Sequence, residues 1–86
     1  MELSATPRLA PGCRLHATES MLLIPEGALK LSGPARDILL EVNGSRTVIA
    51  IIERLLVHYP GASAADVTRD VQSLLGRMQE RGVVRI

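Results

Sequence analysis

The chain has 86 residues, a formal net charge of +1 and one aromatic residue, Tyr59, although 47% of its residues are hydrophobic. This length allows one small domain, whose core must be built from aliphatic side chains. The weak net charge argues against a nucleic-acid or anionic-membrane partner, and one aromatic ring provides no platform for stacking bases. The lone cysteine, Cys13, excludes an intrachain disulfide and favours a reducing compartment, so a cytoplasmic location is expected.

The first twelve residues contain two prolines and a glycine and show no hydrophobic periodicity. This composition is typical of irregular segments, so residues 1–12 are predicted to form a flexible arm and residues 13–86 the folded domain. No long apolar run follows a basic start. Neither a signal peptide nor a transmembrane helix is therefore expected.

Residues 13–31 are predicted to form three short antiparallel strands. The first covers residues 14–16 and the second Met21–Ile24, after which Pro-Glu-Gly at residues 25–27 provides a turn. The third covers residues 28–31, where the alternation of side chains predicts that Leu29 and Leu31 face inward.

Three helices are predicted after residue 31. Ser32 is expected to cap the first helix and Thr47 the second. Ser63 is expected to cap the third, with Asp66 three positions later in a capping-box pattern. Apolar residues at helical spacing give each helix one buried face, and the chain end at residues 83–86 is expected to fold back onto the core.

The predicted order of elements defines an α+β fold, in which a small antiparallel three-stranded sheet is followed by three helices. The second and third helices, joined by a short turn, have the outline of a helix-turn-helix. With the preceding hairpin they predict a winged-helix-like domain.

Groups suited to catalysis or metal binding are sparse. Cys13 and His16 could supply two metal ligands and His58 lies on a distant helix, whereas a zinc site needs four ligands, or three and a water. No nucleophile stands beside a positioned base, and no glycine-rich phosphate loop occurs. We therefore expect no enzyme activity, no metal and no cofactor.

DNA binding is an alternative that the helix-turn-helix outline suggests. The third helix offers Arg69 and Arg77, but it also carries Asp66 and Asp70, which would repel phosphates, and Lys30 is the only lysine of the chain. This balance favours a solvated face of mixed charge over a helix that contacts base edges.

Peptide binding is favoured by the third predicted strand. An edge strand leaves backbone N–H and C=O groups unpaired, and an extended peptide can add to it as a further strand. A semi-polar row beside the core stripe of the third helix could form the other wall of the groove, although such a row can also be the boundary between core and solvent. The predicted peptide-binding residues are Ala28, Leu29, Lys30, Leu31, Thr68, Gln72, Leu75 and Gln79.

Three segments resemble the pyrroloquinoline quinone biosynthesis protein D (PqqD) family. They are Leu-Ser-Gly-Pro-Ala-Arg-Asp-Ile-Leu at residues 31–39, Asn-Gly-Ser-Arg-Thr-Val-Ile-Ala-Ile-Ile at residues 43–52, and Tyr-Pro-Gly at residues 59–61 with the helix that follows. The chain departs from the family pattern at Ala50, where Glu is common. The connection between the first two strands, at residues 16–20, is also shorter.

The resemblance implies a non-catalytic peptide chaperone of winged-helix-like fold. Members of the family bind the precursor peptide PqqA as an added strand and present it to the radical S-adenosylmethionine enzyme PqqE. The helix charges expected to contact that enzyme, unless they form only a solvated face, are Arg36, Asp37, Asp70 and Arg77. An exposed edge strand could also pair two copies, which makes a homodimer an alternative. The alternative function is a winged-helix DNA-binding or protein-interaction module.

Overall fold

The computed structural model describes all 86 residues and confirms the α+β class. Strands β2, β3 and β4 form an antiparallel three-stranded sheet, and β1 and β5 form a second antiparallel pair. None of the three helices is long and apolar enough to cross a membrane. The elements, in chain order, are β1 (Arg8–Leu9), β2 (Arg14–Leu15), β3 (Met21–Ile24), β4 (Gly27–Lys30), α1 (Ala35–Leu40), α2 (Val48–His58), α3 (Ala64–Glu80) and β5 (Val84–Arg85).

One aliphatic core joins the three-stranded sheet to the helices. Leu22 of β3, Ile38 of α1, Ile51 of α2 and Leu75 of α3 are each at most 1% exposed. All of them belong to one cluster of 16 buried residues. Complete burial of a leucine or isoleucine contributes about 1.5–3 kcal/mol, so this cluster is the main source of stability.

Two of the three predicted helix caps are confirmed. The Thr47 hydroxyl oxygen accepts the Ala50 N–H at 3.2 Å, and the Ser63 hydroxyl oxygen accepts the Asp66 N–H at 3.3 Å. The prediction for Ser32 is wrong, because α1 begins after Pro34 and has no side-chain cap. Gly33, with φ of +57°, turns the chain between Ser32 and the helix, so the hydroxyl is not at the capping position.

Residues 1–12, predicted as a flexible arm, are packed against the domain. β1 pairs with β5, and the Val48 N–H donates to the carbonyl of Ala5 at 2.9 Å. Pro7 is among the fully buried residues. The two ends of the chain are thus paired with each other and packed against the domain. Residues 83–86 were expected to fold back onto the core, which holds for Val84 but not for Ile86, which is 57% exposed.

Glu41, immediately after α1, is the one buried charged residue, and it ties α1 to α2. The two carboxylate oxygens share the N–H of Arg54 Nε, at 2.8 and 3.2 Å, and one of them lies 3.3 Å from Arg46 Nη1. These hydrogen bonds from Arg54 hold the pKa of the Glu41 carboxyl below its ordinary value of 4.5, against the opposing effect of burial. The two arginines compensate the cost of burying this charge.

Candidate functional site

Strand β4 is one of the two edge strands of the three-stranded sheet, and β2 is the other. Strand β4 pairs with β3 on one side only, because β3 is the central strand. The turn at residues 25–26 places Gly27 opposite Ile24, and Leu29 lies opposite Leu22. β4 therefore leaves one row of backbone groups without a partner strand.

The register of the hairpin determines which backbone groups are free. Leu31 donates its N–H to the carbonyl of Ser20 at 2.9 Å, which continues the pairing of Met21 with Lys30. Hydrogen-bonded and non-hydrogen-bonded pairs alternate in an antiparallel ladder, so Leu29 also bonds to β3. The N–H and C=O groups of Ala28 and Lys30 point away from the sheet.

The side chains of β4 follow the predicted alternation. Leu29 is half-buried against the core and Leu31 is 9% exposed, which confirms that both face inward. Ala28 and Lys30 are exposed on the opposite face. A strand added to this edge would thus find backbone partners at Ala28 and Lys30 and would lie beside the charge of Lys30.

Two cavities lie near the two ends of β4. Near the start of β4, a cavity of about 300 Å³ is lined by Ile24 and Leu29 together with Arg81 and Val83. Beyond the end of β4, a smaller cavity of about 110 Å³ lies between residues 32–38 and α3. The α3 residues that line this second cavity are Asp70, Ser73, Leu74 and Arg77.

The α3 residues that line a cavity near β4 are therefore not those that the sequence suggested. Ser73 and Arg77 line the cavity beyond the end of β4, and Arg81, at the end of α3, lines the cavity near the start of β4. These three residues follow one another at helical spacing. The arginines of this helix were expected to pair with acidic side chains of the peptide, and Arg77 was also predicted to contact the partner enzyme. Ser73 was not predicted. No local pattern distinguishes the two rows, because each borders the same apolar stripe.

The four α3 residues predicted as the groove wall have other surroundings. Leu75 is 0% exposed and belongs to the core, so it presents no apolar surface to a peptide in this structure. Thr68 is half-buried and Gln79 is exposed, and neither lines a cavity with β4. The Oε1 atom of Gln72 is buried and has no hydrogen-bond partner.

The four charged residues predicted to contact a partner enzyme differ in the contacts that they make within the molecule. Arg36 is occupied inside the molecule, because its guanidinium donates to three carbonyls of the β2–β3 connection, at 2.7 to 3.2 Å. Asp37 accepts a hydrogen bond from the Tyr59 hydroxyl at 2.7 Å. Asp70 lies 3.7 Å from Arg69, and Arg77 donates to the carbonyl of Ser73 at 3.4 Å.

Groups suited to metal binding or catalysis are not brought together. No three His, Cys, Asp or Glu side chains lie close enough to hold a metal ion. The Nδ1 atom of His16 accepts the N–H groups of Thr18 and Glu19, at 3.1 and 2.9 Å. His16 therefore shapes the β2–β3 connection.

A three-stranded sheet with a free edge at β4, combined with a unit of three helices, defines a small α+β recognition domain. The family described as coenzyme PQQ synthesis protein D (PqqD) matches residues 19–84. The chain belongs to this family.

Similar proteins extend over nearly the whole chain. A PqqA binding protein of Stutzerimonas stutzeri is 41% identical over 85 residues, which cover 94% of this chain and 90% of that protein. A PqqA binding protein of Pseudomonas fluorescens is 36% identical over 76 residues, covering 84% and 81% of the two chains.

A solved structure has the same fold. The solution structure of the PqqD part of Methylobacterium extorquens PqqCD matches with a TM-score of 0.76 and 29% identity, and each chain is covered completely. That protein is described as a functional, stand-alone recognition element for ribosomally synthesized and post-translationally modified peptides.

Proposed function

We propose that this protein binds the precursor peptide PqqA in the biosynthesis of pyrroloquinoline quinone and holds it as an added strand on β4. The relatives named PqqA binding proteins and the PqqD recognition element support the choice of ligand. The observation that carries the binding mode is the free edge of β4, where the N–H and C=O groups of Ala28 and Lys30 point outward. Main-chain hydrogen bonds of this kind give affinity to strand addition.

The groove between β4 and α3 supplies selectivity through its charges. Lys30 stands on the edge strand, Arg77 lines the cavity beyond its end, and Arg81 lines the cavity near its start. Acidic side chains of the bound segment would pair with these cations. Leu29 and Ile24 line the end of the groove near the hairpin turn and would contact an apolar side chain.

The adaptor role completes the proposal. The protein performs no chemistry of its own and presents the bound peptide to the radical S-adenosylmethionine enzyme PqqE. When the protein binds both the peptide and the enzyme, it raises the effective concentration of the peptide at the enzyme. The peptide and the enzyme need no new contact with each other for this effect.

A titration of the isotope-labelled protein with PqqA tests this function. We expect the largest amide shifts at residues 27–31 and along residues 73–81. A Lys30→Ala variant should weaken binding, whereas Glu53→Ala, on the exposed side of α2, should not. No saturable binding, or shifts confined to residues outside β4 and α3, would contradict the proposal.

A further inference from the structure

The largest cavity of the molecule lies outside the peptide groove. It has a volume of about 600 Å³ and separates the N-terminal part of α1 from the turn between α2 and α3. Its apolar side chains include Ile38, Leu55, Val67 and Val71, which come from all three helices. We refer to this cavity as the interhelical cleft. A cleft of this size has room for one or two large side chains.

Negative charge surrounds the interhelical cleft. Asp37, Asp66 and Asp70 line it, and no lysine, arginine or histidine does. Arg69 stands outside the lining and pairs with two of these carboxylates, at 3.2 Å to Asp66 and 3.7 Å to Asp70. Two of the three carboxylates share one arginine and Asp37 forms no salt bridge, so the cleft keeps an excess of negative charge.

The Tyr59 side chain forms part of the same cleft. Its hydroxyl donates to Asp37 Oδ2 at 2.7 Å, and this hydrogen bond raises the pKa of the Tyr59 phenol above its ordinary value of 10.0. The contact joins the end of α2 to α1 across the opening. Tyr59 is nevertheless 49% exposed, so a flat part of its ring is available to an incoming group.

The contrast with the peptide groove identifies the occupant. Arg77, Arg81 and Arg85 line the cavities near the ends of β4, beside Asp70 and Glu26, whereas the charged residues that line the interhelical cleft are all carboxylates. The cleft therefore favours a cationic segment more strongly than the surface beside β4 does. An apolar side chain would fill the floor of the cleft while a neighbouring arginine or lysine meets its rim.

We propose that the interhelical cleft docks a segment of a partner protein in which an apolar side chain stands next to an arginine or lysine. This inference rests on the adaptor role proposed above, because it provides a second surface that stays open while a peptide occupies β4. The two sites meet at Asp70, which lines both the interhelical cleft and the cavity beyond the end of β4.

The test uses the full chain and two synthetic probes. One probe is the capped peptide Gly-Arg-Leu-Leu-Arg-Gly, and its matched control replaces both arginines by glutamates. We expect the basic probe to shift the amides of residues 33–38 and 59–71 in a saturable way and the acidic probe to leave them unchanged. Equal binding of both probes, or shifts located elsewhere, would overturn the proposal.

Two variants with the same change of charge sharpen the result. Asp66→Asn removes a carboxylate from the rim and should weaken the basic probe about two- to fivefold, as expected for one exposed ion pair. Glu80→Gln lies at the other end of α3 and lines no cavity, so it should leave the affinity unchanged. The same loss in both variants would show only general charge attraction and would overturn the proposal.

Two further measurements separate this proposal from the peptide site. With PqqA bound to β4, the affinity of the basic probe should stay within about twofold of its value without PqqA. Displacement of the probe by PqqA would overturn the idea of a second surface. Failure of PqqA to bind, with the probe still in the cleft, would refute the peptide site alone. If the amide shifts of residues 33–38 and 59–71 change with protein concentration in the absence of any probe, a second copy of the chain occupies the cleft. That result would overturn the proposal of a partner segment.

Discussion

The geometry of β4 makes a strong prediction about proline substitution. In Lys30→Pro the backbone loses an N–H that points away from the sheet, and ring carbons take its place. The pairing with β3 survives, because Lys30 contributes no hydrogen bond to that strand in the observed register. The preceding residue, Leu29, is already extended, as a residue before proline prefers to be. The hairpin should therefore form while the edge is blocked.

The magnitude follows from what the added strand loses. One backbone hydrogen bond contributes about 1 kcal/mol net, which is about fivefold in Kd. The proline ring also prevents close approach of the peptide at this point, so we expect PqqA to bind at least tenfold more weakly. Lys30→Ala is the matched control, because it removes the same charge and keeps the N–H. It should cost fivefold or less, as expected for an exposed charge.

Calorimetric titration with PqqA measures both affinities, and thermal unfolding shows whether each variant keeps its fold. The reasoning is refuted if folded Lys30→Pro binds PqqA as tightly as Lys30→Ala does.

Amide hydrogen exchange gives a second test that needs no variant. The N–H groups of Ala28 and Lys30 should exchange fast in the free protein and slow down with PqqA bound, whereas the N–H of Leu29 should be protected in both states.

The other predictions concern Glu41, Arg36, Leu75 and DNA binding. Glu41→Ala should cost about 2 kcal/mol of stability, against less than about 0.5 kcal/mol for Glu53→Ala, in chemical denaturation. Folding lowers the pKa of the Glu41 carboxyl, so the ionised carboxylate contributes its full stabilisation above the unfolded pKa of 4.5. This stabilisation is lost as the pH falls through the lower pKa of the folded state. The free energies of unfolding of wild type and Glu41→Gln should therefore converge in acid. Arg36→Ala should accelerate amide exchange at residues 16–20, and a preserved exchange pattern would contradict the role of its three hydrogen bonds. Leu75→Ala should cost about 2–5 kcal/mol of stability yet leave the PqqA affinity of the folded fraction unchanged, and a selective loss of affinity would restore Leu75 to the site. Titration with a DNA duplex at low salt should give no binding, and binding that weakens steeply with salt would favour the helix-turn-helix alternative.

Local sequence signals predicted the elements whose determinants lie within a few residues. Thr47 and Ser63 each cap a helix through an N–H three residues away, and the alternation around Leu29 follows from the pleat of a single strand. Ser32 has the right chemistry for a cap, but the turn at Gly33 separates it from α1. The capping preference of serine gives no information about whether the chain turns between the serine and the helix.

The tertiary pairings could not be predicted in the same way. β1 and β5 have two residues each and come from opposite ends of the chain, so neither carries a periodic pattern. Likewise, the choice between the two polar rows of α3 depends on how the helix rotates against the sheet. Leu75 looked like a border residue because it follows Leu74, yet both are buried, since the apolar stripe of α3 is wider than the sequence suggested.

The position of the two proposed sites on α3 bears on how an adaptor would work. One polar stripe runs along this helix through Asp66, Asp70, Ser73, Arg77 and Arg81, at steps of three or four residues. It is acidic where it borders the interhelical cleft and basic where it borders β4, which is the order that the helix dipole favours. Beyond the end of β4 the groove leads past Ser73 to Asp70, where the interhelical cleft begins. A peptide strand lying on β4 would therefore point one of its ends toward whatever protein segment occupies the cleft.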